Sequence, residues 1–123
     1  APDDTTVIFH LKEPWASLIV EGKKTIELRS WRTRHRGPVL IHRSGKNGGI
    51  VGVAEISDIL ELASPDPFRS LRPQHHAPDQ FYQERLYCWV LENARPVEFI
   101  SCKGRLGFWE PSEDILKAVK PLP

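Results

Sequence analysis

The sequence predicts an α+β domain, a small mixed or antiparallel β-barrel of about six strands with two or three short helices. Three observations lead there. Most apolar segments are short, alternate with period two or are apolar on both faces, and follow one another without a helix between them. Eleven prolines and eight glycines cut the chain into short elements joined by tight turns. The 123 residues make one domain, large enough to bury a core without staples.

Residues 1–5 are polar and read as a flexible N-terminus, with a single domain over 6–120. Val7 to Leu11 is apolar on both faces, as a central strand is. Pro14 occupies a first helical position. Trp15, Leu18 and Ile19 then share a helical face, and Gly22 closes the helix as a left-handed cap. In the next strand Ile26 and Leu28 point to the core. Thr25, Glu27, Arg29 and Trp31 point the other way, with Lys24 at the mouth of that face.

The loop SWRTRHRG places arginine at every second position, and Val39 to His42 forms another strand. Ile50 to Leu62 is long for one strand and predicts a bend or bulge near Gly52 or Glu55. Residues 64–78 are proline-rich, with one helical turn at Pro67 to Leu71, and Asp79 starts another short turn. Leu86 to Leu91 reads as a buried strand, with Val97 to Ser101 as its hairpin partner across Glu92 to Pro96. Ser112 caps a last helix, whose first turn carries Glu113 and Asp114, and Pro121 stops it.

The charge is polarised. Residues 23–46 hold eight basic side chains and one acid, Glu27, for a net +7; the remainder holds nine bases and fifteen acids, for a net −6. Such a patch points to an anionic partner. No apolar run approaches the roughly 20 residues of a membrane helix, and the first residues have no signal-peptide pattern. The expected protein is monomeric, without a membrane contact, in the cytoplasm or nucleus. Cys88 and Cys102 lie in apolar strands and read as free thiols of a reducing compartment.

PWASLIVEGKKTIELRSW is similar to the signature of ASCH domains (activating signal cointegrator homology), in which a Pro-Trp-Ala helix precedes Gly-x-Lys-x-x-Glu-x-Arg. The matching positions are Gly22, Lys24, Glu27 and Arg29. The run through Arg29-Ser30-Trp31 and His35-Arg36-Gly37 most resembles the version in the eukaryotic transcription cointegrator. The likeness extends more weakly to GGIVGVAEISDI and CKGRLGFW, while 64–85 matches nothing in the pattern. The resemblance implies a PUA-like barrel with a cleft beside the first helix and the following strand, and an RNA-related, coactivator-like role.

Each candidate residue has a structural alternative. Lys24, Glu27 and Arg29 would meet a phosphate or base edge, or form a ligand-free ion network. Arg32, Arg34, His35, Arg36 and Arg43 would neutralise phosphates, or form a solvated basic face; Arg36 sits against Gly37-Pro38, where it would brace the turn. Trp31 would stack on a base or cover the sheet edge. Trp89 reads as core, and Trp109 closes the barrel. His75-His76 lacks cysteine or carboxylate at ligand spacing, so no metal site is expected. No cofactor is expected either. His10 and His42 read as satisfied sheet residues, with the cleft as the alternative.

These residues predict a module for RNA or single-stranded nucleic acid, because the cations lie on a strand and loop, not on a groove-filling helix. The alternative is a hydrolase of modified nucleosides or RNA using Lys24 and Glu27. One family branch resembles an acetylcytidine amidohydrolase that pairs a lysine with a threonine three residues on; here that position is Glu27, and the nucleophile is missing. A metal-assisted RNA-cleaving branch also exists, but Glu27 is the one acid in the cleft stretch. A third reading is an acidic protein partner on the basic face.

Overall fold

The computed structural model describes residues 6–105 and 107–122. In chain order the elements are β1 (Val7–Leu11), α1 (Trp15–Val20), β2 (Ile26–Arg29), β3 (Gly37–Arg43) and β4 (Gly49–Leu62). There follow α2 (Pro65–Ser70), α3 (Arg72–His75), a turn of 3₁₀ helix (Asp79–Phe81), β5 (Leu86–Ser101), β6 (Phe108–Trp109) and α4 (Glu113–Ala118). One sheet runs in the order β2-β5-β4-β3-β1-β6. Among the described residues only the β1–β3 pairing is parallel.

The sheet curls. β2 and β1 are separated by three strands in the sheet, yet the Arg29 guanidinium lies 4.7 Å from the centre of the Phe9 ring. The sequence predicts a small α+β barrel; the sheet curls as a half-barrel, with four short helices among the described residues where two or three were expected.

The sixth strand is not the predicted one. Leu86–Ser101 is a single 16-residue strand, and its two halves both pair with β4 instead of with each other. The expected hairpin across Glu92 to Pro96 does not form. Proline without an N–H suggested a turn there. Pro96 instead sits opposite Gly52, beside a register shift where the ladder is already interrupted. Asn93 takes a left-handed φ of 55° at the same bend. The sixth strand is β6, two residues paired with β1.

The predicted bend in β4 is real: register shifts fall between Ile50 and Gly52, between Val53 and Glu55, and again between Ile56 and Asp58. Gly52 is required by proximity, since a Cβ there would come within 2.4 Å of Val20 Cγ2 and 2.8 Å of the Arg95 carbonyl oxygen. Gly22 is required by conformation: its φ is 78°, and open space surrounds its Cβ position. Its N–H bonds the Ile19 carbonyl, and those of Lys23 and Lys24 both bond that of Leu18, so these two carbonyls at the end of α1 are satisfied.

Three clusters form the core. The barrel interior packs Phe9, Ile19, Ile41 and Trp89 at zero exposure. A second cluster joins Ile26, Leu62, Leu86 and Cys88 to Phe68 and Ala77, so the proline-rich segment is a lid over β2. The third, around Ile8, Leu40, Ile50 and Val97, packs against Ile115 of α4 and Val119 just beyond it. The Ser112 hydroxyl accepts from Ile115 N (3.3 Å), as the cap predicted. Both cysteines are free; burial raises the Cys88 thiol pKa to about 11, making it inert. Among the described residues no helix is long and apolar enough to cross a membrane.

Candidate nucleic-acid interface

β2 is covered on both faces, which decides the fate of its polar row. Ile26 and Leu28 face the second core cluster, as predicted. Glu27 and Arg29 face the barrel interior, and Glu27 is 4% exposed. Lys24, expected at the mouth of the cleft, is 2% exposed. Its ammonium donates to the carbonyls of Ile26 (2.7 Å) and His75 (2.5 Å), and faces Glu27 Oε1 at 3.4 Å. Burial is the strongest influence on its pKa and lowers it; the Glu27 carboxylate pulls the other way.

Glu27 is thus clamped between two cations. Its Oε1 also accepts from Leu28 N (3.2 Å). Arg29 Nη1 approaches Oε2 to 3.1 Å, but its hydrogen bond goes to the Leu28 carbonyl at 2.9 Å. Oε2 is therefore buried and ion-paired, yet lacks a hydrogen-bond donor. An unsatisfied buried acceptor costs about 1–3 kcal/mol, and more when charged.

A cleft of about 440 Å³ opens over this group, lined by Lys12, Trp15, Glu27, Arg29 and Trp31, with His10, Leu11 and Gly107. A smaller recess of about 90 Å³ shares Trp15, Glu27 and Arg29 and continues to Lys24, Ala77 and Phe81. Trp31 is 39% exposed. Its ring stands edge-to-face on Trp89 at 4.6 Å, and its carbonyl accepts from Trp89 Nε1 (3.1 Å). Phe81 stands edge-to-face to Trp15 at 6.2 Å and is half exposed. Sequence reasoning missed Lys12 and Phe81. A lone lysine after a strand and a phenylalanine in a polar segment carry no local signal; the curl of the sheet and the lid bring them in.

The arginine loop forms its own hollow, about 660 Å³, walled by Arg32, Thr33, Arg34 and Arg36. Arg32 and Arg34 are exposed. Arg36 donates to the carbonyls of Thr33 (2.9 Å) and His35 (3.0 Å) and so holds the loop in shape. His35 is buried at 8% exposure, its Nε2 donating to the Pro38 carbonyl (3.0 Å). Arg43 lies at the other end of β3, about 20 Å from Gly37 at the usual rise per residue. There it donates to the Asn47 carbonyl and stacks over Phe99 at 5.4 Å. Among the described residues, none of Arg32, Arg34, Arg36 and Arg43 pairs with a carboxylate.

The histidines are occupied. His75 is fully buried; Nε2 donates to the Phe68 carbonyl (2.7 Å) and Nδ1 accepts from Ala77 N (2.9 Å). His76 Nε2 donates to the Lys23 carbonyl (2.8 Å). On the opposite face of β1 from Phe9, His10 Nδ1 and His42 Nδ1 lie 3.0 Å apart. A carbonyl only accepts, so His42 Nε2 carries the proton it gives to Cys102 O (2.8 Å). In the Nδ1–Nδ1 contact one ring donates and the other accepts. Burial lowers the His10 pKa, and His42, Arg29 and Lys12 lower it further. Among the described residues no group of three or more His, Cys, Asp or Glu could hold a metal ion.

Fold and site together define a small open-barrel module with a cationic, aromatic-walled cleft between the first helix and the second strand. The ASCH domain model matches residues 9–101, and the chain belongs to that family. It is 46% identical over 52 residues, 42% of its length, to activating signal cointegrator 1 of Mus musculus, and 46% identical over 50 residues to the Homo sapiens protein of that name. The match spans 9% of the length of each of these relatives. Among solved structures it is similar to ASCH from Zymomonas mobilis, with a TM-score of 0.82 at 14% identity, covering 97% of this chain and 99% of that one. A serine-to-alanine mutant of the same bacterial protein gives 0.81 at 15% identity, covering 98% and 100%. At those identities the likeness is one of fold.

Proposed function

We propose that this domain binds single-stranded nucleic acid, RNA in particular, with bases entering the Trp15–Trp31 cleft and the backbone running along the arginine loop. The observation that carries this reading is a pair of hollows lined by consecutive residues, Trp31 in one and Arg32 in the other: the first is walled by aromatics and cations, the second by arginines that no described carboxylate neutralises. Arg29 and Lys12 meet the ligand in the cleft, Trp31 stacks, and Arg32 and Arg34 take phosphates. Lys24, His35 and Arg36 act from behind as positioning residues. Arg43 extends the same basic field from the far end of β3.

The hydrolase reading is weaker on geometry. Lys24 aims its protons at two carbonyls and a carboxylate, which is the bonding pattern of an ammonium, so it has no lone pair with which to activate a nucleophile.

The test is the salt dependence of binding to a fluorescent oligoribonucleotide. Replacing Arg32 and Arg34 with alanine removes two phosphate contacts and should flatten the log–log salt slope by about 1.4 on a single strand. Arg36 is left in place because it shapes the loop. An unchanged slope would point to an acidic protein as the partner of this face.

A further inference from the structure

Glu27 lines both recesses of the cleft, and its Oε2 is the buried side-chain atom left without a hydrogen bond among the described residues. Its sister Oε1 is engaged by Leu28 N and Lys24. Arg29 lies over it at 3.1 Å while donating elsewhere, and Arg29 Nη2 reaches the His10 carbonyl only at 3.5 Å, the limit of a hydrogen bond. The site therefore offers one strong acceptor without a donor and, beside it, a guanidinium with donor capacity to spare. Trp15 and Phe81 flank the inner recess, and Trp31 the outer.

We propose that the cleft reads a nucleobase carrying, on its Watson–Crick edge, an exocyclic amino group beside a ring acceptor, cytosine or adenine, with the amino N–H donated to Glu27 Oε2 and the ring acceptor taken by Arg29. Depth selects the amino group. Oε2 is recessed, so only a donor projecting from the ring reaches it. The imino N–H of uracil lies flush between two carbonyl oxygens, which would meet the carboxylate first and be repelled. The carboxylate excludes a phosphate from the same position by like charge. Arg29, 27% exposed, is the group that turns from Glu27 toward the incoming base. This assignment rests on the nucleic-acid reading above and adds its base preference.

The experiment uses the unmodified protein and paired probes. One oligoribonucleotide carries a single cytosine in a uridine background; its twin carries pyrimidin-2-one there, which is cytosine without the amino group and adds no bulk. The expected result is that the twin binds about tenfold more weakly, the usual discrimination of a two-point base contact. Purine in place of adenine should show the same loss. Equal affinity for both twins overturns the base preference and leaves nucleic-acid binding standing; failure of every oligonucleotide to bind overturns both. Glu27→Gln gives a second readout. If it stays folded by circular dichroism, it should bind the twins alike, and a retained preference would overturn the proposal.

Discussion

The Lys24 ammonium is bonded to the backbone carbonyl of His75, 51 residues away. The contact joins the motif strand to the lid segment, and it makes Lys24 a part of the core as much as of the cleft.

Removing that cation should be expensive. Lys24→Met leaves Glu27 buried with Arg29 alone and strands two carbonyls. It should destabilise the fold by about 3–5 kcal/mol, measured by urea denaturation. Lys24→Met combined with Glu27→Leu should cost less than the single change, because no orphan carboxylate remains. A single mutant within about 0.5 kcal/mol of the parent would show that the triad is not a structural unit.

Stability should fall on mild acidification. The folded pKa values of His10 and His75 are both lowered, burial being the first cause in each case. Groups with depressed basicity bind fewer protons folded than unfolded. The stabilisation is thus complete above the unfolded histidine pKa of about 6.5 and is lost as pH drops from there through the folded values. Thermal melts between about pH 7.5 and about pH 5 should show a declining midpoint, and His10→Gln should shrink that decline. A flat profile would contradict both lowered values.

Gly52→Ala should weaken the seat of α1. Its Cβ would meet Val20, which can turn aside, and the Arg95 carbonyl, which cannot. A loss of about 1–3 kcal/mol is expected, only partly recovered by adding Val20→Ala. Full recovery would place all the crowding on the side chain.

What the sequence revealed depended on whether the signal was local. Period-two alternation found β2 and the apolar face formed by Ile26 and Leu28. The Gly22 cap, the Ser112 cap and the bends at Gly52 and Glu55 follow from the chemistry of a few neighbouring residues, and they were legible. The candidate site was legible as a set of residues but not as an arrangement. Burial of Lys24 depends on a lid that starts forty residues later, and nothing around Lys24 announces it. Lys12 and Phe81 enter the cleft through the curl and the lid. Glu92 to Pro96 misled for the converse reason: turn-forming residues there bend one strand along its curving neighbour instead of reversing it.

That unbroken strand limits where the chain can be altered. On paper, residues 92–96 look like a permissive splice site between two short strands. In the molecule, β5 is a rail shared by the cleft end and the α4 end, so guest residues there would put one half out of step with β4 while the other stayed in register. A tag or fused domain belongs instead in the exposed Gly45–Asn47 tip, where the Gly48 N–H closes a simple turn onto the Gly45 carbonyl at 3.0 Å and no second strand takes its spacing from the residues inserted.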